Sequence, residues 1–404
     1  MTIRLEDRVD PTLSRMSSPQ EILDKIQEAK DHQAARTSGE DLELFQRRWK
    51  ILDSANGGTA TSNKEECVTN SSITSVFRVL QFNAMAEGLS AQPGTGIQSP
   101  FLKEKAKIKS KKSAKKGRNQ EHENDPAVDF SLRRWRILEV LLGLNVAQSS
   151  KTNAPTESFS GVFDIIALQE IDRFHSFFQP MMNIMGYDGI FVPNPNSPGA
   201  SRGWFSDGCA LFWKRNKFEL RRQASSTYST GGNVYLIATF MHLESGRSIV
   251  CAVTHLKSRR GMDNDRIRMQ QTKELMGNVV SVSNTDANIS NCNVDEIPIV
   301  IMGDFNSDVR NLNSCIHAIV SYDSFHRLDS VYDINLPNSF FTTCNSKEKQ
   351  ILDYIFCNSE TVSGVKCLET LEIPLEAYTN DSFKIPGLRH PSDHLALGAA
   401  FCIK

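Results

Sequence analysis

The chain lacks long apolar runs and an apolar leader. No stretch of its 404 residues approaches the roughly 18 consecutive apolar residues that a membrane-spanning helix requires, so we expect no membrane association. The first 30 residues contain Arg4, Glu6, Asp7 and Asp10 and no hydrophobic core, which excludes an obvious secretory signal. The acidic residues also argue against a mitochondrial presequence.

A net charge and paired cysteines are lacking as well. The 46 basic and 47 acidic residues nearly cancel, so any basic surface for a partner must be local. The nine cysteines form no C-x-x-C pair and most lie in apolar runs, which indicates reduced thiols rather than a disulfide framework or a zinc site. We therefore expect a cytoplasmic protein, with the nucleus as the alternative.

Two regions of different composition are present. Residues 1–72 are polar and predict an N-terminal extension that is partly disordered and contains short helices. One helix should begin at the capping-box sequence SPQE (18–21), and a second around 41–52. Residues 73–404 are rich in apolar segments and predict one catalytic domain, interrupted by polar insertions at 103–118 and 145–160.

The insertion at 103–118 contains nine basic residues and one acidic residue. A run of like charges is usually a solvated, mobile loop. The same composition is also typical of a segment that binds the RNA backbone or directs nuclear import. The sequence leaves both interpretations open.

Apolar runs of strand length recur from residue 76 to the C-terminus. They include 76–82, 163–168, 209–213, 234–240, 249–254, 297–302, 351–357 and 395–403. Helical periodicity occurs at 132–144, 263–280 and 312–320. Because strands predominate, the pattern favours an α/β (α+β) fold in which two packed sheets are flanked by helices.

Several apolar runs end in carboxylate, amide or imidazole side chains. A carboxylate at the end of a buried strand is costly unless it is paired or bound to a metal. Since these side chains occupy comparable positions relative to their strands, we expect the strand ends to gather them around one pocket. The residues are Asn83, Glu170, His255, Asp304, Asn306, Asp353, Asp393 and His394.

These residue types suit the binding of a phosphate ester. Glu170 is a hard anionic ligand for Mg²⁺, with Mn²⁺ as a substitute, and Asn83 offers a neutral oxygen beside it. The side chains of His255 and Asn306 can donate to a phosphoryl oxygen, where charge develops during hydrolysis.

An activated water also needs a base. Asp304 is the candidate. His394 can be held in one tautomer by a carboxylate behind it, and the sequence offers either Asp353 or Asp393 for this role.

Seven segments in one order resemble the endonuclease/exonuclease/phosphatase superfamily and, within it, the nocturnin and carbon-catabolite-repressor-type deadenylase branch. They are FRVLQFN (77–83), DIIALQEID (164–172), DGCALFWK (207–214), VTHLKSR (253–259), MGDFNS (302–307), LDYIF (352–356) and PSDHLAL (391–397). The resemblance implies a four-layered α/β sandwich with two central, mainly antiparallel sheets and the site at one end. It also implies that Glu170 binds the metal with Asn83 beside it, and that the other residues complete the site.

The resemblance extends to residues that would bind the substrate. Lys257 and Arg259 match the basic pair that grips dinucleotide phosphates in this branch, and Asp207 would lie near the pocket wall. A turn before Gly208 explains Asp207 equally well. Two departures bear on the substrate: Asn194 stands where the branch has a lysine, and Glu87 adds a carboxylate near the site.

Two aromatic residues precede this aspartate. Trp204 and Phe205 can stack on a base or a nicotinamide, but aromatic residues in such a loop are more often buried anchors.

Repeats are scarce. The hexapeptide RRWKIL (47–52) has one near-copy, RRWRIL (133–138), and no repeat architecture follows from it. Residues 1–72 contain no leucine-rich period, so we expect no recruitment to a deadenylase complex through leucine-rich repeats.

The resemblance leaves two substrates open. The protein is expected to be a Mg²⁺-dependent hydrolase that acts on the 3′ end of poly(A) RNA as a 3′-5′ exonuclease, or on the 2′-phosphate of NADP(H). A hypothesis of another class is a catalytically silent, RNA-binding or scaffold member of the family. We expect a monomer in each case.

Overall fold

Two large β-sheets pack face to face at the centre of the protein. The structure is a computed structural model, and it describes residues 13, 15–37, 42–52, 75–90, 127–147, 161–201, 203–290, 296–322, 328–334, 341–344, 348–358, 363–374 and 385–403. The predicted insertion 103–118 lies outside the described residues, as does most of the insertion predicted at 145–160.

The strands fall into two sheets and a short hairpin. They are β1 (Trp49–Ile51), β2 (Ser75–Asn83), β3 (Ile165–Ile171), β4 (Tyr187–Pro193), β5 (Gly208–Lys214), β6 (Phe218–Thr227), β7 (Val234–His242), β8 (Ser248–His255), β9 (Ile299–Asp304), β10 (Leu328–Ser330), β11 (Thr343–Cys344), β12 (Lys349–Gln350), β13 (Asp353–Asn358), β14 (Val365–Leu371) and β15 (Leu397–Ile403). The first sheet has the order β1-β14-β15-β2-β3-β5-β4 and the second β10-β13-β9-β8-β7-β6, while β11 and β12 form the hairpin.

Helices cover the outer faces of the sheets. They are α1 (Pro19–Arg36), α2 (Glu87–Ser90), α3 (Phe130–Leu141), α4 (Gln179–Ile184), α5 (Pro198–Ser201), α6 (Met262–Ser290) and α7 (Ile316–Val320), with a π-helical turn at Phe174–Phe178. Within the described residues, no helix is both long and apolar enough to cross a membrane.

Side-chain alternation along β2 shows how the layers pack. Phe77 and Val79 face the second sheet, in a core shared with residues of β8 and β9. Leu80 and Phe82 face the opposite way, in a second core with residues of α1 and α3. Helix α6 covers the second sheet and buries Leu275 against it. The layers therefore run helix, sheet, sheet, helix, which confirms the predicted four-layered sandwich.

The described part of the predicted N-terminal extension packs onto the sandwich. The predicted helix at the capping box is α1, in which the Ser18 side chain accepts from the Glu21 backbone N–H. Its buried residues Ile22, Ile26 and Ala29 form an apolar stripe, which packs in the core shared with α3. This helix of the extension thus shares a core with residues that follow position 73.

The second helix predicted around 41–52 is wrong. Residues Trp49–Ile51 form β1, which pairs antiparallel with Glu369–Leu371 of β14 at the edge of the first sheet. Pairing with a strand distant in sequence overrides the local helical preference of this segment. No local pattern signals such a partner.

We predict that Ile22→Ala lowers the free energy of unfolding of the whole protein by about 2–4 kcal/mol, because it opens a cavity in a buried core. The measurement is urea unfolding followed by fluorescence. Lys25→Ala, at an exposed position of the same helix, is the control and should change this free energy by less than about 0.5 kcal/mol. An equally small effect of Ile22→Ala would show that α1 is not part of the cooperative unit.

Candidate active site

Among the strands that the structure describes, each large sheet contains one parallel pair, and both pairs end in polar residues. Strands β2 and β3 place Asn83 beside Gln169, and β8 and β9 place His255 beside Asp304. Parallel strands finish at the same edge of a sheet, so these residues are grouped by topology. Antiparallel β13 starts at this edge, with Asp353 opposite Asp304.

A β-bulge redirects Glu170. Along β3, Ile166 and Leu168 face α3, so strict alternation would send the Glu170 side chain to that outer face as well. The register between β3 and β5 shifts after Leu168, and Glu170 has a positive φ of 49°. The carboxylate consequently lies on the side of the second sheet, with Oε1 3.8 Å from His255 Nε2.

Asp304 is buried and is held from two sides. Its Oδ1 accepts from the Asn306 backbone N–H at 2.8 Å, and its Oδ2 accepts from Asn83 Nδ2 at 3.0 Å. The same Oδ2 lies 3.6 Å from His255 Nε2 and 3.8 Å from His394 Nε2. Asp304 Oδ2 therefore sits between two imidazoles, where it can accept a proton.

Asp353 is the carboxylate that orients His394. Its Oδ2 lies 2.7 Å from His394 Nδ1, and its Oδ1 accepts from Gln81 Nε2 at 2.9 Å. Gln81 Nε2 also donates to Gln169 Oε1 at 2.7 Å. Of the two candidates that the sequence left open, the geometry favours Asp353. The hydrogen bonds of Gln81 on β2 and Gln169 on β3 connect Asp353 to both parallel strands of the first sheet.

Two polar atoms of the eight predicted site residues are buried without a hydrogen bond in the described part of the chain. They are His255 Nε2 and Asp393 Oδ1. Unpaired buried polar atoms are unfavourable in a free protein unless a ligand completes them. The carboxylate of Glu170 likewise accepts no hydrogen bond from the described residues, and its side chain is 16% exposed.

Burial and neighbouring charges shift the protonation of this group. Burial raises the pKa of Glu170 to about 7, opposed by His255 and reinforced by Asp393 and Asp207. Burial also raises the pKa of Asp304, against the influence of His394. Burial lowers the pKa of His394, but the Asp353 and Asp304 carboxylates outweigh this and bring it well above its ordinary value. Burial and neighbouring carboxylates therefore both disfavour the ionised forms of Glu170 and Asp304.

A metal cation fits such a surplus of buried carboxylates. One oxygen or nitrogen from each of Asp304, Asp353 and His394 lies within 4.8 Å of the others, so these three can hold an ion together. Two of these residues, however, already form a hydrogen bond with each other, between His394 Nδ1 and Asp353 Oδ2. Glu170 has no such partner, which makes its carboxylate the more available ligand. The amide of Asn83 is less free, since Oδ1 accepts from the Met85 N–H at 3.0 Å.

Backbone strain is concentrated around the site. Within the described residues, five non-glycine residues have a positive φ: Met85, Glu170, Arg173, Arg259 and Asn306. Each follows or belongs to one of the strand ends described above. Such conformations cost about 1–3 kcal/mol and persist where the surrounding structure fixes them, which is typical of functional loops.

Lys257 and Arg259 lie on the loop that follows His255. Arg268 Nη1 donates to the backbone carbonyls of both residues, at 2.7 and 2.8 Å, and the Lys257 N–H donates to Gln271 Oε1 at 2.9 Å. The loop backbone is therefore fixed, while the ammonium and guanidinium groups have no ion pair among the described residues. Asp207 is buried, and its carboxylate accepts from the Ser197 hydroxyl.

The two departures from the branch differ in their effect on charge. Glu87 forms a salt bridge with Arg173, so it presents no unpaired carboxylate. Asn194 shapes a turn, since its Oδ1 accepts from the Asn196 N–H at 3.0 Å. Neither residue supplies the positive charge of the lysine that the branch has at the second position.

Trp204 and Phe205 both contact other residues of the protein. Trp204 is buried and packs against Gly88, where a Cβ would come within 2.8 Å of the tryptophan Cβ. The Arg173 guanidinium lies 4.4 Å from the centre of the Phe205 ring. Trp204 is therefore a buried anchor, and the Arg173 guanidinium covers one face of the Phe205 ring.

Sequence reasoning missed Arg133 on α3. Its guanidinium is fully buried, and Nη1 donates to the Ala84 carbonyl at 2.9 Å and to the Pro391 carbonyl at 3.1 Å. Ala84 follows Asn83, and Pro391 precedes Asp393 and His394. Arg133 therefore ties together the two loops that carry these side chains. The available signal was the hexapeptide pair: Arg47, the first residue of the other copy, is also buried and donates to the Ala396 carbonyl at 3.0 Å.

Known proteins share this sequence pattern. Residues 117–394 match the profile described as the Endonuclease/Exonuclease/phosphatase family. Mouse Nocturnin is 30% identical over 346 residues, which cover 82% of this chain and 66% of the mouse protein. The Ccr4 3'-5'-exoribonuclease subunit of the CCR4-Not complex from Candida albicans is 27% identical, over 60% of this chain and 36% of that protein. The chain spans 54% of the length of rat and human Nocturnin.

Solved structures share the fold. The human Nocturnin catalytic domain with bound sulfate anion is 26% identical and superposes with a TM-score of 0.55, covering 81% of this chain and 93% of that one. ANGEL2, described as a 2',3'-cyclic phosphatase, gives a TM-score of 0.57 at 20% identity, covering 89% of this chain and 99% of that one. The latter likeness shows a common fold alone.

We predict that Arg133→Met lowers the kcat of the reaction at this site by about tenfold to a hundredfold, because both loops lose their shared anchor and small displacements of catalytic groups are costly. The control is Arg136→Met, which removes another buried guanidinium of α3, bonded to Glu139 and to the Leu42 carbonyl away from the site. Both variants should unfold more easily, Arg136→Met by about 3–5 kcal/mol. Equal kcat losses in two folded variants would refute a positioning role for Arg133.

Proposed function

Because this chain belongs to the endonuclease/exonuclease/phosphatase family, we propose that it is a metal-dependent phosphoesterase that hydrolyses an adenine-nucleotide phosphoester with an activated water and without a covalent intermediate. One observation carries the proposal. The two parallel strand pairs bring Asn83, Glu170, His255 and Asp304 to one edge, where the Asp353 and His394 pair meets them. Carboxylates, imidazoles and amides in this combination suit phosphoester hydrolysis.

Asp304 is proposed to act as the base for the water. Its Oδ2 lies within 4 Å of the Nε2 atoms of His255 and His394. Its raised pKa makes the Asp304 carboxylate a stronger base than an ordinary aspartate. The Asn306 N–H holds the other oxygen, so the carboxylate cannot rotate away. His394, kept in one orientation by Asp353, would donate to the phosphoryl group together with His255.

Glu170 is the proposed metal ligand, with Asn83 beside it. Enzymes of this family are metal dependent, and the identity of the ion here, Mg²⁺ with Mn²⁺ as a substitute, is part of the proposal. When bound, a divalent ion neutralises charge on a phosphoryl oxygen. The lack of any hydrogen bond from the described residues to the Glu170 carboxylate supports this assignment over the Asp353 and His394 pair.

Two substrates remain candidates, and each has an observation in its favour. The relative from Candida albicans is named as a 3'-5'-exoribonuclease subunit, which supports the 3′ end of RNA. The fixed loop that presents Lys257 and Arg259 beside His255 supports a compact dinucleotide, the 2′-phosphate of NADP(H), because two cations there can grip its other phosphates. The salt bridge of Glu87 removes one source of repulsion for either anion.

A catalytically silent RNA-binding or scaffold protein is the alternative of another class. Loss of catalysis in an enzyme family usually removes a metal-binding acid or the base. Here Glu170, Asp304 and His394 are present and converge, and the carboxylates are left short of counter-charge. This favours an active enzyme.

Parallel assays test the substrate and the metal. Purified protein is incubated in parallel with poly(A) RNA and with NADP, each with Mg²⁺ and with EDTA. We expect hydrolysis of one of them, abolished by EDTA and restored by added Mg²⁺. Activity on neither substrate, or activity that survives EDTA, would contradict the proposal; tight RNA binding without hydrolysis would favour the silent alternative.

Substitution of Glu170 tests the proposed metal ligand. Glu170→Ala should lower kcat by at least about a hundredfold and leave the unfolding midpoint nearly unchanged, because the residue supplies charge rather than packing. Glu219→Ala, which removes an exposed carboxylate of β6, is the control and should keep full activity. Near-normal kcat in Glu170→Ala would show that another group holds the metal.

A further inference from the structure

A polar cleft of about 630 Å³ opens beside the site, and the proposed reaction does not use it. Its rim includes Asn306, two residues after Asp304, and Leu352, which precedes Asp353. The cleft runs from there between the loop after His255, the start of α6 and the strand β12. Its volume lies within the range of sites that hold a nucleotide-sized group.

Two arginines fix the walls of this cleft. Arg268 bonds to Asp265 and to the carbonyls of the loop after His255. Arg310 forms a salt bridge with Asp308 and donates to the Lys349 carbonyl at 2.9 Å, which joins the opposite wall to β12. Both guanidinium groups are occupied by these structural bonds, so neither is available to a ligand without loss of the wall.

Arg260 is different. It forms an ion pair with Glu348 across the mouth of the cleft, and its side chain is 70% exposed. The positive φ of Arg259, together with the bonds from Arg268, sets the backbone from which Arg260 projects. An exposed ion pair contributes only about 0–1 kcal/mol, whereas an arginine binds phosphate through stronger, bidentate hydrogen bonds. A substrate phosphate can therefore compete with Glu348 for this guanidinium.

We propose that Arg260 binds a second phosphate of the substrate in this cleft, one removed from the phosphoester that is hydrolysed, and that Glu348 occupies Arg260 until the substrate arrives. The inference rests on the proposed function and deepens it. The second phosphate is the pyrophosphate of a dinucleotide or the neighbouring phosphodiester of RNA. In either case Arg260 makes the enzyme prefer substrates that continue beyond the scissile group.

The test compares substrates with and without the second phosphate. KM and kcat are measured for NADP against adenosine 2′-monophosphate, and for a short oligo(A) against the dinucleotide ApA. The proteins are the wild type, Arg260→Gln, Glu348→Gln and the control Arg266→Gln. Arg266 is an equally exposed arginine that pairs with Asp263 and does not line the cleft.

Arg260→Gln should raise the ratio of the longer substrate's KM to the shorter substrate's KM by about fivefold or more, in whichever pair the enzyme hydrolyses. Glu348→Gln should lower this ratio about twofold, because it removes the competing carboxylate. Added salt should weaken the preference of the wild type and affect Arg260→Gln less. Arg266→Gln should match the wild type.

An active wild type whose KM ratio is unchanged in Arg260→Gln overturns the inference and leaves the proposed function intact. A wild type inactive on all four substrates overturns the proposed function, and the inference falls with it. A change in NADP alone identifies the pyrophosphate as the ligand, and a change in oligo(A) alone identifies the phosphodiester.

Discussion

The buried carboxylates at one edge of the sandwich are the constraint around which the rest of the site is arranged. Asp393 repels Glu170 and Asp353 repels Asp304 where water is scarce, and burial disfavours the ionised forms of Glu170 and Asp304. The fold compensates them unequally. Asp353 has His394 and Gln81, and Asp304 has Asn83 and Asn306, but Glu170 and one oxygen of Asp393 have no hydrogen bond from the described residues. The surplus of negative charge is therefore concentrated at Glu170, where a bound cation relieves it most.

The position of the Glu170 carboxylate depends on a backbone geometry that differs from the regular side-chain alternation of a β-strand. A regular β3 would direct Glu170 away from the second sheet, and the bulge with its positive φ turns it back. The same applies to Asn306, whose left-handed conformation lets its N–H reach Asp304. The strained conformations persist because the neighbouring strands are buried and paired along their length. The packing of these strands offsets the free-energy cost of the strain.

The sequence predicted much of this because its signals are local. The apolar runs and the polar residues that end them identify β2, β3, β8, β9 and β13, and the order of the motifs identifies the family. The contacts that support the site are not local. Arg133 meets the Pro391 carbonyl 258 positions away, and β1 pairs with β14 from the far end of the chain. The hexapeptide near-copy marks Arg133 but not its partners, because an arginine that bonds to distant carbonyls resembles any other arginine in a helical sequence. The three residues of the edge strand carry no periodicity to detect.

These long-range contacts connect the N-terminal segment to the site. Helix α1 and α3 share a core, and α3 presents Arg133 to the loops that carry Asn83, Asp393 and His394. Arg47, just before β1, donates to the carbonyls of Leu371 and Ala396, the second of which lies two residues after His394. Loss of either contact would release a loop that holds catalytic groups. The segment upstream of residue 73 therefore supports the geometry of the site through its own Arg47 and through the packing of α1 against α3, the helix that carries Arg133. It contributes none of the proposed catalytic side chains.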